Sequence, residues 1–290
     1  MAVKIPKQLI SSLIITFAAH GHALQLNSQH AIVIGDRTGQ VMLEKNADTP
    51  VPIASLTKLM TAMVVLDSKP DMNEKIAINA EDVDVLKHSA SRVPIGAALT
   101  RREIFQLALM SSDNRAAAAL ARTYTGGNVA FIKAVNEKLK ALGMNHTVIK
   151  EATGLSPDNM SSAADLAKMA VAASHYPEIV DITTNQSNLF RMNGRSVAFH
   201  NTNHLVGAKG WDILLSKTGF TNEAGHCLIM RIQQAGKNAT LVLLDAKASA
   251  ASRFDALTIR RFLTGPLLAK SSRSVAGHRY RHINPKLEIH

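Results

Sequence analysis

Cysteine is nearly absent from this chain. Among its 290 residues only Cys227 is a cysteine, so no intrachain disulfide can form. The fold must therefore depend on its hydrophobic core, for which a hydrophobic content of 46% is sufficient. Cys227 belongs to the apolar run 227–230, and this context favours a buried strand residue over a reactive thiol.

Aromatic and acidic residues are also scarce. Phe, Trp and Tyr make up 4% of the chain, and 22 acidic residues face 33 Lys and Arg, which leaves a formal net charge of +11. This charge suits anionic partners such as phospholipid headgroups, cell-wall polymers or nucleic acid. The low aromatic content, the lack of a recognised binding motif and an export signal argue against nucleic acid. We expect no nucleic-acid partner and a loose electrostatic contact with the membrane or the wall.

Long hydrophobic runs are missing except near the N-terminus. Lys4 and Lys7 form a basic start, residues 9–19 are mostly apolar, and residues 21–23 (Gly-His-Ala) supply a cleavage site with small residues. The apolar run is too short to span a bilayer comfortably. We therefore predict a signal peptide over residues 1–23, cleaved after about Ala23, and a periplasmic location. A permanent N-terminal anchor is the alternative.

The remaining sequence alternates between strand and helix patterns. Strands are predicted at both ends, at 31–35, 40–44, 212–218, 226–233 and 240–245. The predicted helices lie mainly between them, at 55–67, 100–110, 115–124, 129–142 (capped by Asn128), 162–173 (ended by Pro177) and 257–263. We expect a mixed α/β (α+β) domain over residues 24–265, in which the terminal strands share one antiparallel sheet and a helical lobe is inserted. Residues 266–290 are basic and are predicted to be a loose tail.

Ser55 and Lys58 stand at the start of an apolar helix. They are three residues apart, so their side chains share one helix face. A lysine that burial or a second cation keeps neutral can take the serine proton, and the helix N-terminus offers free N–H groups for an oxyanion. This is a candidate acyl-enzyme site. A capping serine beside a solvated lysine is the ordinary alternative.

Two further motifs follow along the chain. Ser112-Asp113-Asn114 interrupts two helical patterns, and Lys217-Thr218-Gly219 ends a predicted strand. Each alone is typical of a helix stop with an N-cap, or of an exposed strand end with a turn glycine. In this order and in these contexts, the three motifs match the S-x-x-K, S-D-N and K-T-G set of penicillin-binding proteins and class A β-lactamases.

The resemblance extends beyond these motifs and covers roughly residues 27–265. It is carried by the segments 54–63, 112–117, 152–170, 201–203 and 216–225. The chain is similar to the low-molecular-mass D-alanyl-D-alanine peptidases, and especially to the D-alanyl-D-alanine endopeptidases of the penicillin-binding protein 7 type. This resemblance implies a penicillin-recognising, β-lactamase-like fold: a five-stranded antiparallel sheet flanked by helices, with the site between the sheet and a helical lobe.

The resemblance also implies roles for individual residues. Ser55 is the expected nucleophile, Lys58 the base for acylation, and Ser112 the group that relays a proton to the leaving amine. The backbone N–H groups of Ser55 and Phe220 are expected to form the oxyanion hole. The expected substrate-binding residues are Asn114, Lys217, Thr218, Gly219 and Phe220.

Glu151 and two histidines are candidates for other chemistries. Class A β-lactamases place a deacylating glutamate between the second and third motifs. Glu151 lies in that interval but leads into residues 152–155, which resemble the peptidase loop, so we expect a surface carboxylate and slow release of bound β-lactam. His200 and His204 have the spacing of one helix face but no acidic partner. Neither a metal nor another cofactor is expected.

These observations predict a serine D-alanyl-D-alanine endopeptidase. It would hydrolyse D-Ala–diamino-acid cross-links of peptidoglycan through an acyl-enzyme, be inhibited by penicillin, and act in cell-wall remodelling. The alternatives are a carboxypeptidase that trims stem peptides and a non-catalytic cationic wall-binding protein. Residues after Pro266 are too few for the second, β-rich domain of the carboxypeptidase relatives, which favours the endopeptidase. Arg253 is the nearest candidate in this chain for the arginine with which those relatives bind a terminal carboxylate.

Overall fold

The computed structural model describes residues 24–36 and 39–264. The strands are β1 (His30–Gly35), β2 (Gln40–Lys45), β3 (Val51–Pro52), β4 (Lys75–Ala77), β5 (Ala98–Thr100), β6 (Met160–Ser161), β7 (Ser187–Met192), β8 (Arg195–His200), β9 (Asp212–Thr221), β10 (Gly225–Gln234) and β11 (Lys237–Ala246). The helices are α1 (Thr57–Asp67), α2 (Arg101–Leu109), α3 (Asn114–Arg122), α4 (Gly127–Ala141), α5 (Ala163–Ala173), α6 (Pro177–Thr184) and α7 (Ser249–Thr264). Short 3₁₀ turns cover Ala54–Leu56 and Ala80–Asp82.

The central sheet joins strands from both ends of the chain. Its order is β2-β1-β11-β10-β9, with every neighbouring pair antiparallel. Val33 of β1 lies opposite Leu241 of β11, and Ile229 of β10 lies opposite Lys217 of β9. The expected α+β fold, with a five-stranded antiparallel sheet and an inserted helical lobe, is confirmed. β9, which carries the third motif, is an edge strand of this sheet.

Alternating strand side chains divide the interior into two cores. Ile32 and Ile229 face the core shared with the helical lobe, whereas Val33 and Met230 face the smaller core beneath α7. Helix α1 crosses the larger core, and every residue from 57 to 65 is buried. A helix that is apolar on all sides is an interior helix. Lys58 is therefore carried into the interior by the helix to which it belongs.

Some predicted boundaries differ from the structure. Helix α4 follows Gly126, whose φ of 86° lies in the left-handed region, so the cap predicted at Asn128 is wrong. Pro177 does more than terminate α5: it stands in the first turn of α6, where its missing N–H costs nothing. The hairpin of β7 and β8 has no clear sequence pattern, because most of its side chains are exposed.

Several predictions from the sequence concern residues outside the described ranges. The signal peptide at 1–23, the tail at 266–290 and part of the first hairpin turn belong there. The domain limits 24–265 therefore stay a prediction. Across residues 24–36 and 39–264, no helix has both the length and the apolar character needed to cross a bilayer.

Asp255 of α7 hydrogen-bonds the N-terminal segment that leads into β1. Its fully buried carboxylate accepts hydrogen bonds from the backbone N–H groups of Asn27 and Ser28, at 2.9 and 2.7 Å. The side chains of the same two residues donate to it at 2.8 Å each. Asp255 thus accepts four hydrogen bonds from the segment that leads into β1, and Lys45 Nζ adds bonds to the carbonyls of Leu26 and Ser28 at 3.0 and 2.7 Å.

We expect Asp255→Ala to lower the free energy of unfolding by about 3 kcal/mol, because it leaves buried N–H and hydroxyl groups without an acceptor. Urea denaturation measures this difference. Arg261→Ala, on the exposed side of the same helix, is the control and should change the value by less than about 0.5 kcal/mol. Equal losses in the two variants would contradict the anchoring role of Asp255.

Candidate active site

Ser55 lies in the 3₁₀ turn that precedes α1, so α1 begins two residues later than the motif suggests. The preceding Ala54 has a φ of 46°, a left-handed conformation that is uncommon for a residue with a side chain. Two hydrogen bonds hold the turn: Thr57 Oγ1 donates to the Ala54 carbonyl at 2.9 Å, and the Ile53 N–H donates to the Asn159 carbonyl at 3.1 Å. The Ser55 side chain lines the main cleft of the protein.

The Lys58 amine reaches Ser55 from one turn along. Lys58 is 1% exposed, and its Nζ lies 2.7 Å from Ser55 Oγ. Nζ also lies 2.7 Å from Asn114 Oδ1 and 2.6 Å from the backbone carbonyl oxygen of Thr153. The amine is therefore surrounded by three oxygens from three different segments of the chain.

These three contacts orient the amine when it is neutral. A neutral amine has two N–H donors and one lone pair. The oxygens of Asn114 and Thr153 are carbonyl oxygens that only accept hydrogen bonds, so they take both N–H groups. The lone pair is left facing the one partner that can donate, the hydroxyl of Ser55. This arrangement can remove a proton from Ser55.

Ser112 and Lys217 form a second pair in the cleft. Ser112, with a φ of 60°, lies in the turn that separates α2 from α3. The next residue, Asp113, caps α3 by accepting a hydrogen bond from the Ala116 N–H. Lys217 is 1% exposed and donates to Ser112 Oγ and to the Thr218 carbonyl, both at 2.8 Å. The sheet edge thus delivers a second buried amine to the cleft.

The two lysines influence each other's ionisation. Burial is the largest cause that lowers the pKa of Lys58 to about 8, and the carboxylates of Glu151 and Asp113 oppose this effect. Burial, followed by repulsion from Lys58, holds the pKa of Lys217 well below its usual range. The cleft therefore disfavours two ammonium groups at once. For both lysines, burial is the largest cause that lowers the pKa and so favours the neutral amine.

Strand β9 passes very close to the Ser55 turn. A Cβ atom added at Gly219 would lie 3.0 Å from the Ser55 nitrogen and 3.1 Å from the Ile53 carbonyl oxygen. Only glycine allows this approach without displacing the turn. Phe220, next along β9, is 55% exposed and stacks on His226 with ring centroids 4.4 Å apart. Thr218 contacts Thr202, with Oγ1 atoms 2.5 Å apart.

These residues share a cleft of about 350 Å³ between the sheet edge and the helical lobe. Ser55, Ser112, Asn114 and the β9 residues 218–220 line it. Lys58 and Lys217 lie behind this lining and reach it through their contacts with Ser55 and Ser112. The structure brings all the residues predicted from the three motifs together.

Some residues that line the cleft or contact its lining belong to none of the three motifs. Arg253 of α7 lines the same cleft. It is the residue that the sequence offers as the arginine for binding a terminal carboxylate. Ser89 accepts a hydrogen bond from Asn114 Nδ2 at 2.8 Å and so fixes the orientation of that amide. Ser89 lies far from Asn114 along the chain, and no local pattern marks it. Only the folded structure reveals its contact.

The expectation for Glu151 is wrong. It is not a surface carboxylate but a half-buried one, which accepts hydrogen bonds from the N–H groups of Thr153 and Gly154 at 2.5 and 2.7 Å. Its neighbour Thr153 supplies the carbonyl that contacts Lys58. Glu151 therefore belongs to the surroundings of the site.

Cys227, His200 and His204 have ordinary structural roles. Cys227 is buried in β10, as expected, and burial raises the pKa of its thiol to about 12. His200 ends β8 and His204 lies in a turn, so they do not share a helix face. Within the ranges that the structure describes, no group of three or more His, Cys, Asp or Glu side chains is placed to hold a metal ion.

Known proteins with similar sequences and structures have related activities. The chain is 47% identical over 248 residues to a D-alanyl-D-alanine endopeptidase of Pseudomonas aeruginosa, covering 84% of this chain and 80% of that protein. It is 42% identical over 247 residues to a D-alanyl-D-alanine endopeptidase of Escherichia coli, again covering 84% and 80%. The crystal structure of the Streptomyces K15 DD-transpeptidase matches with a TM-score of 0.76 at 26% identity, over 82% of this chain and 97% of that one.

A family model described as D-alanyl-D-alanine carboxypeptidase matches residues 16–248, which is most of the chain. The match agrees with the three motifs, with the five-stranded sheet and with the cleft in which the motifs meet. The chain therefore belongs to peptidase family S11, the D-alanyl-D-alanine carboxypeptidase family.

Proposed function

We propose that this protein is an exported, periplasmic serine D-alanyl-D-alanine endopeptidase that opens D-Ala–diamino-acid cross-links of peptidoglycan during cell-wall remodelling. The observation that carries the proposal is the buried Lys58 amine, 2.7 Å from Ser55 Oγ, with both N–H groups of its neutral form directed to carbonyl oxygens. The endopeptidase names of the two relatives, at 47% and 42% identity, support the cross-link as substrate. Membership of family S11 and the likeness to a DD-transpeptidase support β-lactams as inhibitors.

Acylation begins with proton transfer from Ser55 to Lys58. As the hydroxyl proton moves to Nζ, Ser55 Oγ attacks the carbonyl carbon of the D-alanine. The backbone N–H groups of Ser55 and Phe220 stabilise the oxyanion, and the loss of one such donor typically costs about 3 kcal/mol. The close approach of β9 at Gly219 to the Ser55 nitrogen keeps the two donors near each other.

The tetrahedral intermediate then expels the amine of the cross-linked residue. Ser112 gives its hydroxyl proton to the leaving nitrogen and is reprotonated by Lys58, which passes on the proton that it took from Ser55. Lys217 donates a hydrogen bond to Ser112 Oγ at 2.8 Å and keeps its own protonation state, so the charge of the site is unchanged. Water then attacks the acyl-enzyme ester and gives a proton to the neutral Lys58 amine, which returns it to Ser55 Oγ as the ester bond breaks. Without a dedicated deacylating glutamate, we expect bound β-lactam to be released slowly.

The substrate is expected to lie extended along the open edge of β9. Main-chain pairing with an edge strand supplies affinity, and Asn114 and Thr218 add polar contacts. Lys217 and Arg253 give this part of the cleft positive charge that suits a carboxylate on the leaving group. Arg253 also favours a second candidate, a D-alanyl-D-alanine carboxypeptidase, because a terminal D-alanine carries the same group at the same place.

Replacing the nucleophile tests the acyl-enzyme. We expect Ser55→Ala to abolish covalent labelling by fluorescent penicillin, read on a denaturing gel, because among the residues that the structure describes Ser55 carries the hydroxyl hydrogen-bonded to the Lys58 amine. Ser249→Ala, on α7 at the far side of the cleft, is the control and should still be labelled. Persistent labelling of Ser55→Ala would overturn the assignment.

The pH dependence of acylation tests the base. Because the neutral amine is the reactive form and the pKa of Lys58 is lowered to about 8, the acylation rate should rise with pH through a midpoint near 8. The midpoint belongs to the coupled pair Lys58 and Lys217, which titrate together. Stopped-flow acylation measures it. A rate that is flat from pH 6 to 10 would exclude a lysine base.

Product analysis separates the two candidate activities. Purified cross-linked muropeptide dimers should be converted to monomers, as followed by mass spectrometry, because the endopeptidase cuts at the shared D-alanine. The Ser55→Ala variant should leave the dimers intact. Loss of only a terminal D-alanine from the same dimers would support the carboxypeptidase instead.

A further inference from the structure

The carboxylate of Glu151 organises the loop formed by residues 151–159. Its Oε2 accepts from the N–H and the hydroxyl of Thr153, at 2.5 and 2.6 Å. Its Oε1 accepts from the N–H groups of Gly154 and Ser156 and from Asn159 Nδ2, at 2.7, 3.3 and 3.0 Å. The carboxylate of Glu151 thus accepts five hydrogen bonds from donors of this loop.

This loop packs directly behind the reactive residues. The Thr153 carbonyl accepts from Lys58 Nζ at 2.6 Å, and the Ala152 carbonyl accepts from Thr61 of α1 at 2.7 Å. Gly154 lies against the turn that carries Ser55: a Cβ atom added there would lie 1.9 Å from the Ala54 carbonyl oxygen. The position of the loop and the position of the Ser55–Lys58 pair are therefore coupled.

We propose that Glu151 is a positioning residue for Lys58. Its carboxylate fixes the loop so that the Thr153 carbonyl accepts a hydrogen bond from one N–H of the Lys58 amine. The lone pair of that amine then stays directed at the Ser55 hydroxyl. This inference rests on the proposed function, in which Lys58 is the base. Thr153 supplies one of only two carbonyl oxygens that orient the neutral amine. If that carbonyl moves away, the amine is free to rotate and the lone pair leaves the Ser55 hydroxyl.

The charge of Glu151 acts on the same amine. The ionisable groups that face Lys58 are Lys217 from β9, Asp113 before α3, and Glu151 from the loop. Asp113 is already engaged by Ser91 Oγ and by the N-terminus of α3. Of the groups that raise the pKa of Lys58 against burial, Glu151 has the larger effect. It therefore keeps the amine a stronger base than burial alone would leave it.

The test is the pH profile of the second-order acylation rate with fluorescent penicillin, measured for the full-length protein. For Glu151→Gln we expect the high-pH plateau to fall about tenfold or more, because the amine is misplaced. We also expect the midpoint to move down by roughly one pH unit, because a nearby negative charge is lost. Asp158→Asn removes the same charge from an exposed position of the same loop and should change neither value.

Glu151→Asp distinguishes the effect of the carboxylate's position from the effect of its charge. It also replaces Glu151→Gln in the test if thermal melting shows that Glu151→Gln does not fold. Its shorter carboxylate keeps the charge but cannot span all five donors, so the plateau should fall while the midpoint stays at the wild-type value. Variants at Glu151 that acylate at the wild-type rate, or a Glu151→Gln plateau loss with an unmoved midpoint, would overturn the proposal. Absence of Ser55-dependent labelling in the wild-type protein would instead overturn the proposed function itself.

Discussion

The burial of the Lys58 amine is the constraint on which the rest of the site depends. Helix α1 is enclosed on all sides, so the amine that it carries has no access to bulk water. A buried amine without hydrogen-bond partners is strongly unfavourable. The three oxygens around Nζ come from the Ser55 turn, from α3 and from the 151–159 loop. The fold must therefore assemble these segments if the lysine is to be buried at all, and their assembly creates the site.

The edge of the sheet supplies the other half of the cleft. Strand β9 pairs with β10 from Asp212 to Thr221, in unbroken register from Leu215 onwards, and it presents Lys217 to the lobe while Gly219 lies against the Ser55 turn. An edge strand also has free main-chain groups, which is a hazard in most proteins but useful where an extended peptide must pair. Here one side of the site is a strand and the other a helix start, so neither layer forms it alone.

Charge within the cleft differs from charge on the whole chain. The formal net charge of +11 suits the anionic wall in a general way. Arg253 lines the cleft and Lys217 reaches it through Ser112, whereas the carboxylates of Glu151 and Asp113 raise the pKa of Lys58 against burial. The site thus contains acidic residues as well as basic ones, and the acidic residues influence how easily the Lys58 amine takes a proton.

The sequence by itself determined the architecture and the motif residues. The terminal strands and the inserted helical lobe follow from hydrophobic periodicity, and the meeting of Ser55, Ser112 and Lys217 is what the resemblance of the three motifs to those of penicillin-binding proteins implies. Tertiary structure alone decided the surroundings of the amine. Thr153 acts through a backbone carbonyl, which every residue has, and Glu151 acts through donors brought to it by a loop, so neither leaves a local pattern. The hairpin of β7 and β8 left no clear pattern because most of its side chains are exposed, whereas the place of Arg253 in the cleft depends on how α7 packs against segments distant in the chain.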